Sequence, residues 1–217
     1  MKDFKIVWSA RSECGPNRKK NEDTIFPPIS GSSKPLFKAA VCDGLGGHVN
    51  GDVASKIAAD TLLKEITDLN QIITEANKNI LEYQEKDPSS LGMGTTMTAI
   101  SINKDALMKI GHVGDSRCYV LSDRNLIKVT EDQNVPGYQN VLKQALGSNE
   151  KLNIQEVDFQ LQIGDVVFLC SDGLYNEVGE EYIKKKMQDG ISADTFVGEV
   201  LLLNPKDNVS AIVINLV

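Results

Sequence analysis

Short apolar runs of strand length, separated by a few turn-forming residues, recur along most of the chain and constrain its fold more than any other feature. Several are rich in Val and Ile and end at Gly, Asn or Asp, which is typical of β-strands. The predicted strands cover residues 4–10, 37–42, 95–102, 107–113, 117–122, 126–129, 154–161, 165–170 and 209–217. Connections this short favour antiparallel sheets, because a parallel pair needs a long crossover. The Ser-Asp-Arg-Asn segment at 122–125 indicates a hairpin turn.

Fewer segments show helical periodicity. Apolar residues recur on one stripe in residues 52–66, 70–85 and 193–203, and a fourth helix is predicted at 180–188. The order of strands, two helices, many strands, two helices and a last strand predicts an α+β sandwich. In it, helices cover the outer faces of two packed antiparallel sheets. The length of 217 residues, without a repeat or a linker, predicts a single domain over residues 1–217.

Composition argues against several functional classes. The net charge of -7 disfavours nucleic acid and anionic lipid as partners, since both reward clustered Lys and Arg. No segment approaches the ~18 consecutive apolar residues of a membrane span, and residues 1–8 alternate as a strand does, unlike a signal peptide. We therefore expect a cytoplasmic monomer. The cysteines Cys14, Cys42, Cys118 and Cys170 have no Cys-x-x-Cys spacing, which predicts reduced thiols and no zinc site.

Acidic residues beside the apolar runs are the most informative part of the sequence. They are Asp43-Gly44, Asp172-Gly173, Asp115 after Gly114, Asp207 before the last strand, and Glu22-Asp23. A strand that ends in Asp-Gly delivers a carboxylate to the rim of a sheet, and the glycine lets a ligand approach the backbone. One such site is usually only a turn, but several that converge would repel one another unless cations neutralise them. An oxygen-rich set with only two histidines in the chain selects Mg2+ or Mn2+.

Nine short motifs together resemble those of the metal-dependent serine/threonine protein phosphatases, the PPM or type-2C family. In chain order they are Arg18-x-x-Asn21-Glu22-Asp23, Val41-Cys42-Asp43-Gly44-Leu45-Gly46-Gly47-His48, Gly51-Asp52-x-Ala54-Ser55, Gly94-Thr95-Thr96, Gly111-His112-Val113-Gly114-Asp115-Ser116-Arg117, Thr130-x-Asp132, Ala145-Leu146-Gly147, Gly164-Asp165-x-x-x-Leu169-Cys170-Ser171-Asp172-Gly173-Leu174 and Asp207-Asn208-Val209-Ser210. Each motif is weak alone, but their order and spacing over almost the whole chain are specific. The Asp-Gly-x-Gly-Gly-His segment resembles the bacterial branch of the family.

The resemblance implies two stacked antiparallel sheets flanked by helices, with two Mn2+ or Mg2+ ions at one rim. It implies that Asp43 bridges the ions and that the Gly44 carbonyl binds the first. Asp172 and Asp207 would bind the second ion, and Glu22 and Asp23 would act through bound water. Bacterial members often bind a third ion, here through Asp115 and Asp172.

The resemblance also implies that Arg18 grips the phosphate, for which a guanidinium fork is suited. Taken alone, Arg18 with Lys19 and Lys20 would indicate only a solvated basic patch. The implied reaction is in-line attack of a metal-bridged hydroxide on the phosphorus of phosphoserine or phosphothreonine, without a phosphoenzyme. The expected catalytic residues are Arg18, Asp43 and Asp172, and the expected partners are proteins phosphorylated by a serine/threonine kinase.

Two segments depart from the family pattern. Leu45 stands where many eukaryotic members have a histidine proposed as the general acid, so the leaving alkoxide must take its proton elsewhere, and His48 is one candidate donor. Residues 133–144 are shorter than the partly helical flap of many bacterial members and predict a turn and a short helix. We hypothesise a more open site or one that a partner completes. His112 is expected to be structural, and residues 94–96 are expected to pack beneath the site.

Three other interpretations stay open at the level of sequence. The chain could be an inactive regulatory module of the same fold, although Asp43, Asp172 and Asp207 are all present. It could be a two-metal hydrolase of small phosphate esters, because the chemistry is shared. It could also be a structural cation-binding domain, in which metal would raise stability without any turnover.

Overall fold

The fold was analysed in a computed structural model that describes residues 4–46, 49–148 and 150–217. Its strands are β1 (Ile6–Glu13), β2 (Asp23–Phe26), β3 (Gly31–Ser33), β4 (Phe37–Asp43), β5 (Met97–Ile102), β6 (Leu107–Val113), β7 (Arg117–Ser122), β8 (Asn125–Lys128), β9 (Asn134–Val135), β10 (Tyr138–Leu142), β11 (Gln155–Gln160), β12 (Val166–Cys170) and β13 (Val209–Leu216). Its α-helices are α1 (Gly51–Thr61), α2 (Leu69–Lys86), α3 (Asp172–Gln188) and α4 (Ala193–Leu201), with a 3-10 turn at Pro88–Ser90. Among these described helices, none has the length and apolar character needed to cross a membrane.

The strands form two large antiparallel sheets and one small hairpin. The first sheet has the order β3-β1-β13-β12-β7-β8, and the second has the order β11-β6-β5-β4-β2. Strands β9 and β10 form a two-stranded hairpin that, among the described residues, pairs with no other strand. Every pairing in the two sheets is antiparallel. The predicted α+β sandwich of two antiparallel sheets is confirmed.

Three apolar layers hold the sandwich together, because the central strands bury both of their faces. In β4, Phe37, Ala39 and Val41 lie in the core between the sheets. The alternate residues Ala40 and Cys42 pack with α1 and α2 on the outer side of the second sheet. A third cluster joins β7, β12 and β13 of the first sheet to α3 and α4. Helices therefore cover both outer faces, as predicted.

Several predicted elements agree closely with the structure. The predicted strands at 107–113 and 117–122 coincide with β6 and β7. The turn between β7 and β8 places Asp123 and Arg124 at positive φ, with Ser122 opposite Asn125 in the register. Two consecutive positive φ values match the right-handed twist of the flanking strands, which explains the tight hairpin.

Two helix boundaries were predicted wrongly. Helix α1 ends at Thr61 instead of residue 66, because the Lys38 ammonium binds the following carbonyls of Leu62, Lys64 and Ile66 at 3.0, 3.1 and 2.9 Å. Helix α3 begins at residue 172 instead of 180 and is interrupted at Gly179, whose φ is 73°. This break separates the first turns, which support the site, from the part that resembled a helix in the sequence.

Two loops also contain strands that were not predicted. No strand was predicted between residues 10 and 37, but Gly31–Ser33 forms the edge strand β3 beside β1. The segment at 133–144 was expected to hold a turn and a short helix, but it forms the β9-β10 hairpin. Its turn contains Pro136-Gly137, and Gly137 has a φ of 81°, which suits the second central position of a tight turn.

Candidate active site

The acidic residues singled out from the sequence converge at one rim of the sandwich. Asp43 is the last residue of β4 and lies opposite Asp23, the first residue of β2. Asp115 lies between β6 and β7, Asp172 opens α3 directly after β12, and Asp207 lies just before β13. Both sheets therefore contribute carboxylates, and each carboxylate is attached to the end of a buried element.

Glycines allow the segments of this rim to approach each other closely. A side chain at Gly44 would collide with the backbone of Gly51 and with Glu22 O. A side chain at Gly173 would collide with the Asn208 carbonyl and with Asp207. The Asp-Gly pairs are thus required by packing in addition to any role in ligand binding.

The hydroxyl groups of Thr95 and Thr96 hold the backbone of Asp43 in place. Asp43 N donates to Thr96 Oγ1 at 3.0 Å, Thr95 Oγ1 donates to Asp43 O at 2.9 Å, and Thr96 Oγ1 lies 2.9 Å from Ser116 Oγ. Leu45 N donates to Gly94 O at 2.9 Å. Residues 94–96 therefore support the site from beneath, as expected.

Asp23 is held by a separate chain of hydrogen bonds. Ser210 Oγ lies 2.6 Å from Asp23 Oδ2 and 2.7 Å from Ser12 Oγ, to which Asn21 Nδ2 donates at 2.8 Å. Ser12 lies on β1 and Ser210 on β13. Asp23, on β2 of the second sheet, is therefore bonded through Ser210 to β13 of the first sheet.

The cluster raises the pKa of its own carboxyl groups. Burial, followed by the negative charge of Asp23 and Asp172, raises the pKa of Asp43 well above its usual range. Burial and the charge of Asp115 raise the pKa of Asp172 to about 7. Burial raises the pKa of Asp23 to about 6, against the effect of hydrogen bonds from Ser210 and Ser171. The protein alone therefore stabilises these anions poorly, which is characteristic of a site that receives positive charge from outside.

Arg18 lies at the solvent-exposed edge, or mouth, of the acidic cluster, and its side chain is 30% exposed. Its Nη2 is 2.5 Å from Asp207 Oδ2, its Nη1 is 3.8 Å from Glu22 Oε2, and its Nε donates to Lys206 O at 3.2 Å. Burial, opposed by Arg18, raises the pKa of Glu22. The guanidinium is thus beside the carboxylates, where it can also reach an anionic ligand.

Asp115 is connected to the β9-β10 hairpin. Asn134 Nδ2 donates to Asp115 Oδ2 at 3.1 Å, and Tyr175 Oη donates to Asp115 O at 3.1 Å. Burial raises the pKa of Asp115, and the Asn134 hydrogen bond opposes the shift. Arg117 stacks on the Tyr175 ring at 3.6 Å and forms a bidentate ion pair with Asp132. Arg117, with Asp132 of the Thr130-x-Asp132 motif, therefore stabilises the position of Tyr175, which contacts Asp115.

Of the two histidines in the sequence, His112 lies within the described residues and His48 does not. His48, considered above as a proton donor, lies outside the described residues, as does Gly47. His112 is fully buried between Thr98 Oγ1 at 2.8 Å from its Nδ1 and Glu131 O at 3.1 Å from its Nε2. Burial lowers the pKa of His112 to about 4. Its buried position agrees with a structural role.

Sequence reasoning missed two residues of this rim. In the orientation that satisfies both ends of its amide, the Asn208 oxygen accepts from Glu22 N at 2.8 Å and its nitrogen donates to Lys20 O at 3.2 Å. Asp52 lies 2.5 Å from Lys20 Nζ and contributes to raising the pKa of Glu22. Asn208 and Asp52 both belong to motifs of the family resemblance, Asp207-Asn208-Val209-Ser210 and Gly51-Asp52-x-Ala54-Ser55. Their place in these motifs was the only indication in the sequence that they lie near the site.

In the described part of the chain, no three His, Cys, Asp or Glu side chains are arranged to hold a metal ion as they stand. Asp207 is bound by Arg18, and this contact occupies an oxygen that a cation would otherwise bind. Asp43 lies close enough to Asp23 and Asp172 for their negative charges to raise its pKa. The donor set is nevertheless made of oxygen atoms with raised carboxyl pKa values, a chemistry that suits Mg2+ or Mn2+.

The sequence matches proteins of one family over most of its length. Residues 16–201 match the family model described as Protein phosphatase 2C. The serine/threonine phosphatase stp of Listeria monocytogenes is 32% identical, and the match covers 94% of this chain and 93% of that protein. The serine/threonine protein phosphatase PstP of Mycobacterium tuberculosis is 30% identical, and the match covers 98% of this chain and 45% of that protein.

Solved structures agree with this match. The crystal structure of the PstP catalytic domain in complex with two manganese ions has a TM-score of 0.86 and 29% identity, covering 99% of both chains. Another crystal structure, of PstP from Mycobacterium tuberculosis, also has a TM-score of 0.86, with 28% identity. Because the family model covers most of the chain and the relatives cover nearly all of it, the chain belongs to the protein phosphatase 2C family.

Proposed function

We propose that the chain is a metal-dependent phosphatase that hydrolyses phosphoserine and phosphothreonine in proteins. The observation that carries the proposal is the convergence of Asp23, Asp43, Asp115, Asp172 and Asp207 at one rim, with Arg18 at its mouth. Relatives named serine/threonine phosphatases support it at 30% and 32% identity. We further propose that residues 1–217 form a single phosphatase domain. In it, the β9-β10 hairpin stands where many bacterial members of the family have a longer flap.

Two ions, Mn2+ or Mg2+, would be held by Asp43, the Gly44 carbonyl, Asp172 and Asp207. Glu22 and Asp23 would contribute through water, and Asp115 with Asp172 would hold a third. When bound, such ions activate water and neutralise charge on the phosphate. The raised pKa values of Asp43 and Asp172 support this set, because added positive charge would favour their ionised forms. The manganese in the related PstP structure also supports it.

Arg18 would bind and orient the phosphate. Its guanidinium already contacts Asp207 and Glu22, and an arriving dianion would compete with these carboxylates for the same donors. A planar fork of donors suits phosphate oxygens and fixes the direction of attack. The backbone of Asp43 is bonded to Thr96, and Asp172 opens α3, so both carboxylates project from fixed backbone positions.

The surrounding side chains argue against a covalent phosphoenzyme. Cys42, Cys118 and Cys170 are fully buried, and burial raises the pKa of each thiol. Ser171 Oγ accepts from Ser210 N at 3.1 Å, and Ser116 Oγ is paired with Thr96. Both hydroxyls are buried and already hydrogen-bonded, whereas the nucleophile of a covalent mechanism must reach the substrate.

The proposal is tested by phosphate release from a phosphothreonine peptide with Mn2+, with Mg2+ and with excess chelator. We expect metal-dependent turnover in the wild type and its loss in Asp43→Asn. We also expect Arg18→Ala to raise KM more than it lowers kcat, because Arg18 acts mainly on binding. A folded wild-type protein without turnover in either metal would contradict the proposal and favour the regulatory-module alternative.

A further inference from the structure

Basic residues form a margin along one side of the candidate site. This basic margin consists of Arg18, Lys19, Lys20 and Lys206. Its two segments are 188 residues apart in sequence but are bonded through Arg18 Nε and Lys206 O at 3.2 Å. Asn17 Nδ2 also donates to Pro205 O at 3.0 Å. Lys206, through its carbonyl, and Lys19, through its peptide bond to Arg18, are therefore both neighbours of Arg18.

The lysines of the basic margin differ in how they are engaged. The Lys20 ammonium is 2.5 Å from Asp52. Lys19 and Lys206 are exposed, and neither forms an ion pair with any residue that the structure describes. The nearby carboxylates of Glu22 and Asp207 are directed to Arg18. Two ammonium groups thus remain available to an external ligand.

This margin is opposite in sign to the net charge of the molecule. The net charge of -7 would repel an acidic peptide at long range, yet such repulsion is screened beyond a Debye length of about 8 Å. At contact distance, the peptide would instead meet Lys19 and Lys206. Because Lys19 adjoins Arg18 in sequence and Lys206 is bonded to it, residues next to a phosphate held at Arg18 would lie within reach of these lysines.

We propose that Lys19 and Lys206 select phosphopeptides that carry Asp or Glu next to the phosphorylated residue. The inference rests on the proposed function, because it requires the phosphate to lie at Arg18. The carboxylates of the peptide pair with the two ammonium groups at the solvent-exposed edge of the site. The effect is a preference among substrates, since exposed ion pairs contribute modestly to affinity.

The test compares kcat/KM for phosphothreonine peptides of equal length, in excess Mn2+. One peptide has Glu on both sides of the phosphorylated residue, the second has Gln and the third has Lys at the same positions. The enzymes are the wild type, the double variant Lys19→Glu/Lys206→Glu, and the control Lys184→Glu/Lys185→Glu. The control makes the same change of net charge on α3, beyond the break at Gly179.

We expect the wild type to prefer the Glu peptide over the Gln peptide by about fivefold to tenfold at low salt. The double variant should lose this preference and favour the Lys peptide, whereas the control should keep the wild-type order. The preference should also shrink as ionic strength rises.

The inference is overturned if the wild type hydrolyses the Gln and Glu peptides equally well, or if the double variant keeps the wild-type ratio. In both cases turnover of the Gln peptide would leave the proposed phosphatase activity standing. If no peptide is hydrolysed in Mn2+ by a folded wild-type protein, the proposed function fails and this inference fails with it.

Discussion

Asp172 shows how one residue combines structural and chemical demands. It is the first residue of α3, directly after the buried strand β12, so its carboxylate sits on a rigid support. Burial and the charge of Asp115 raise its pKa to about 7. The position is therefore unfavourable for the isolated protein and useful only if the charge is compensated.

Asp172→Asn should lower phosphatase kcat by about 100-fold or more, since an amide is a poor ligand for a hard cation. The fold should persist, because the substitution also removes repulsion from Asp115. Steady-state kinetics in Mn2+ with circular dichroism would check both points. Asp189→Asn, at the exposed C-terminal end of the same helix, is the matched control and should keep full activity. Near-normal turnover of Asp172→Asn would show that the assignment of this ligand is wrong.

His112 provides a test of stability that is independent of metal. Burial lowers its pKa from 6.5 to about 4, so between these values the unfolded chain binds a proton that the folded chain does not. Stability supplied by neutral His112 is therefore present above pH 6.5 and is lost as the pH falls toward 4. The free energy of unfolding of the wild type should fall relative to His112→Gln by about 2 to 3 kcal/mol between pH 7.5 and pH 4.5. Urea titrations at both pH values measure this difference, and parallel losses in the two proteins would refute it.

The residues of the site were largely predictable, but their contacts were not. Asp43, Asp172 and Asp207 stood out because each adjoins a strand and two precede a glycine. The contact of Arg18 with Asp207 joins residues 189 positions apart. A pattern within a short stretch of sequence cannot predict a contact between residues so far apart. Asn208 was missed because its role is to bridge the backbone at Lys20 and Glu22, which becomes visible only when β13 and the Arg18 loop are placed side by side.

Among the secondary-structure elements, predictions succeeded where apolar periodicity and turn chemistry agreed. Strands β6 and β7 have clear ends at Gly114 and at the Asp123-Arg124 turn. Helix α1 was predicted too long, because the apolar stripe continues past Thr61 while tertiary hydrogen bonds to Lys38 end the helix. The β9-β10 hairpin was predicted wrongly because strands of two and five residues are too short to show a clear periodicity, although its Pro136-Gly137 turn was present in the sequence.

Lys38 should control the connection between α1 and α2. Lys38→Met should lower the free energy of unfolding by about 1 to 2 kcal/mol, because the three carbonyls bound by the ammonium lose a charged donor. Hydrogen exchange should accelerate at residues 62–68 before it does elsewhere. Lys56→Met removes only an exposed pair with Asp60 on α1 and should cost less than about 0.5 kcal/mol. Equal effects of the two substitutions would contradict this role of Lys38.

At the scale of the whole molecule, the two sheets meet at the acidic rim, and bound cations should therefore stabilise the complete sandwich. Excess Mn2+ should raise the Tm of the wild type over the value in chelator by about 5 to 10 °C for each site, if the free Mn2+ concentration is about 100 times the Kd of that site. Asp43→Asn should lose most of this increase, yet in chelator it should be at least as stable as the wild type, because it carries one less repelled carboxylate. Differential scanning calorimetry compares these four conditions. A metal-independent Tm in the wild type would count against the site.

The division of the proposed ligands between the sheets also has a consequence for how the protein tolerates change. Asp23 and Asp43 are carried by the second sheet, whereas Asp172 and Asp207 adjoin strands of the first. The separation of these pairs is set by the thickness of the apolar layer that contains Val41, Leu169 and Ile212. A substitution that adds or removes one methylene group in that layer would therefore alter the distance between the two pairs of carboxylates, although it lies far from any substrate. Variation among such core residues would then tune metal affinity and catalysis while every residue of the site stays the same.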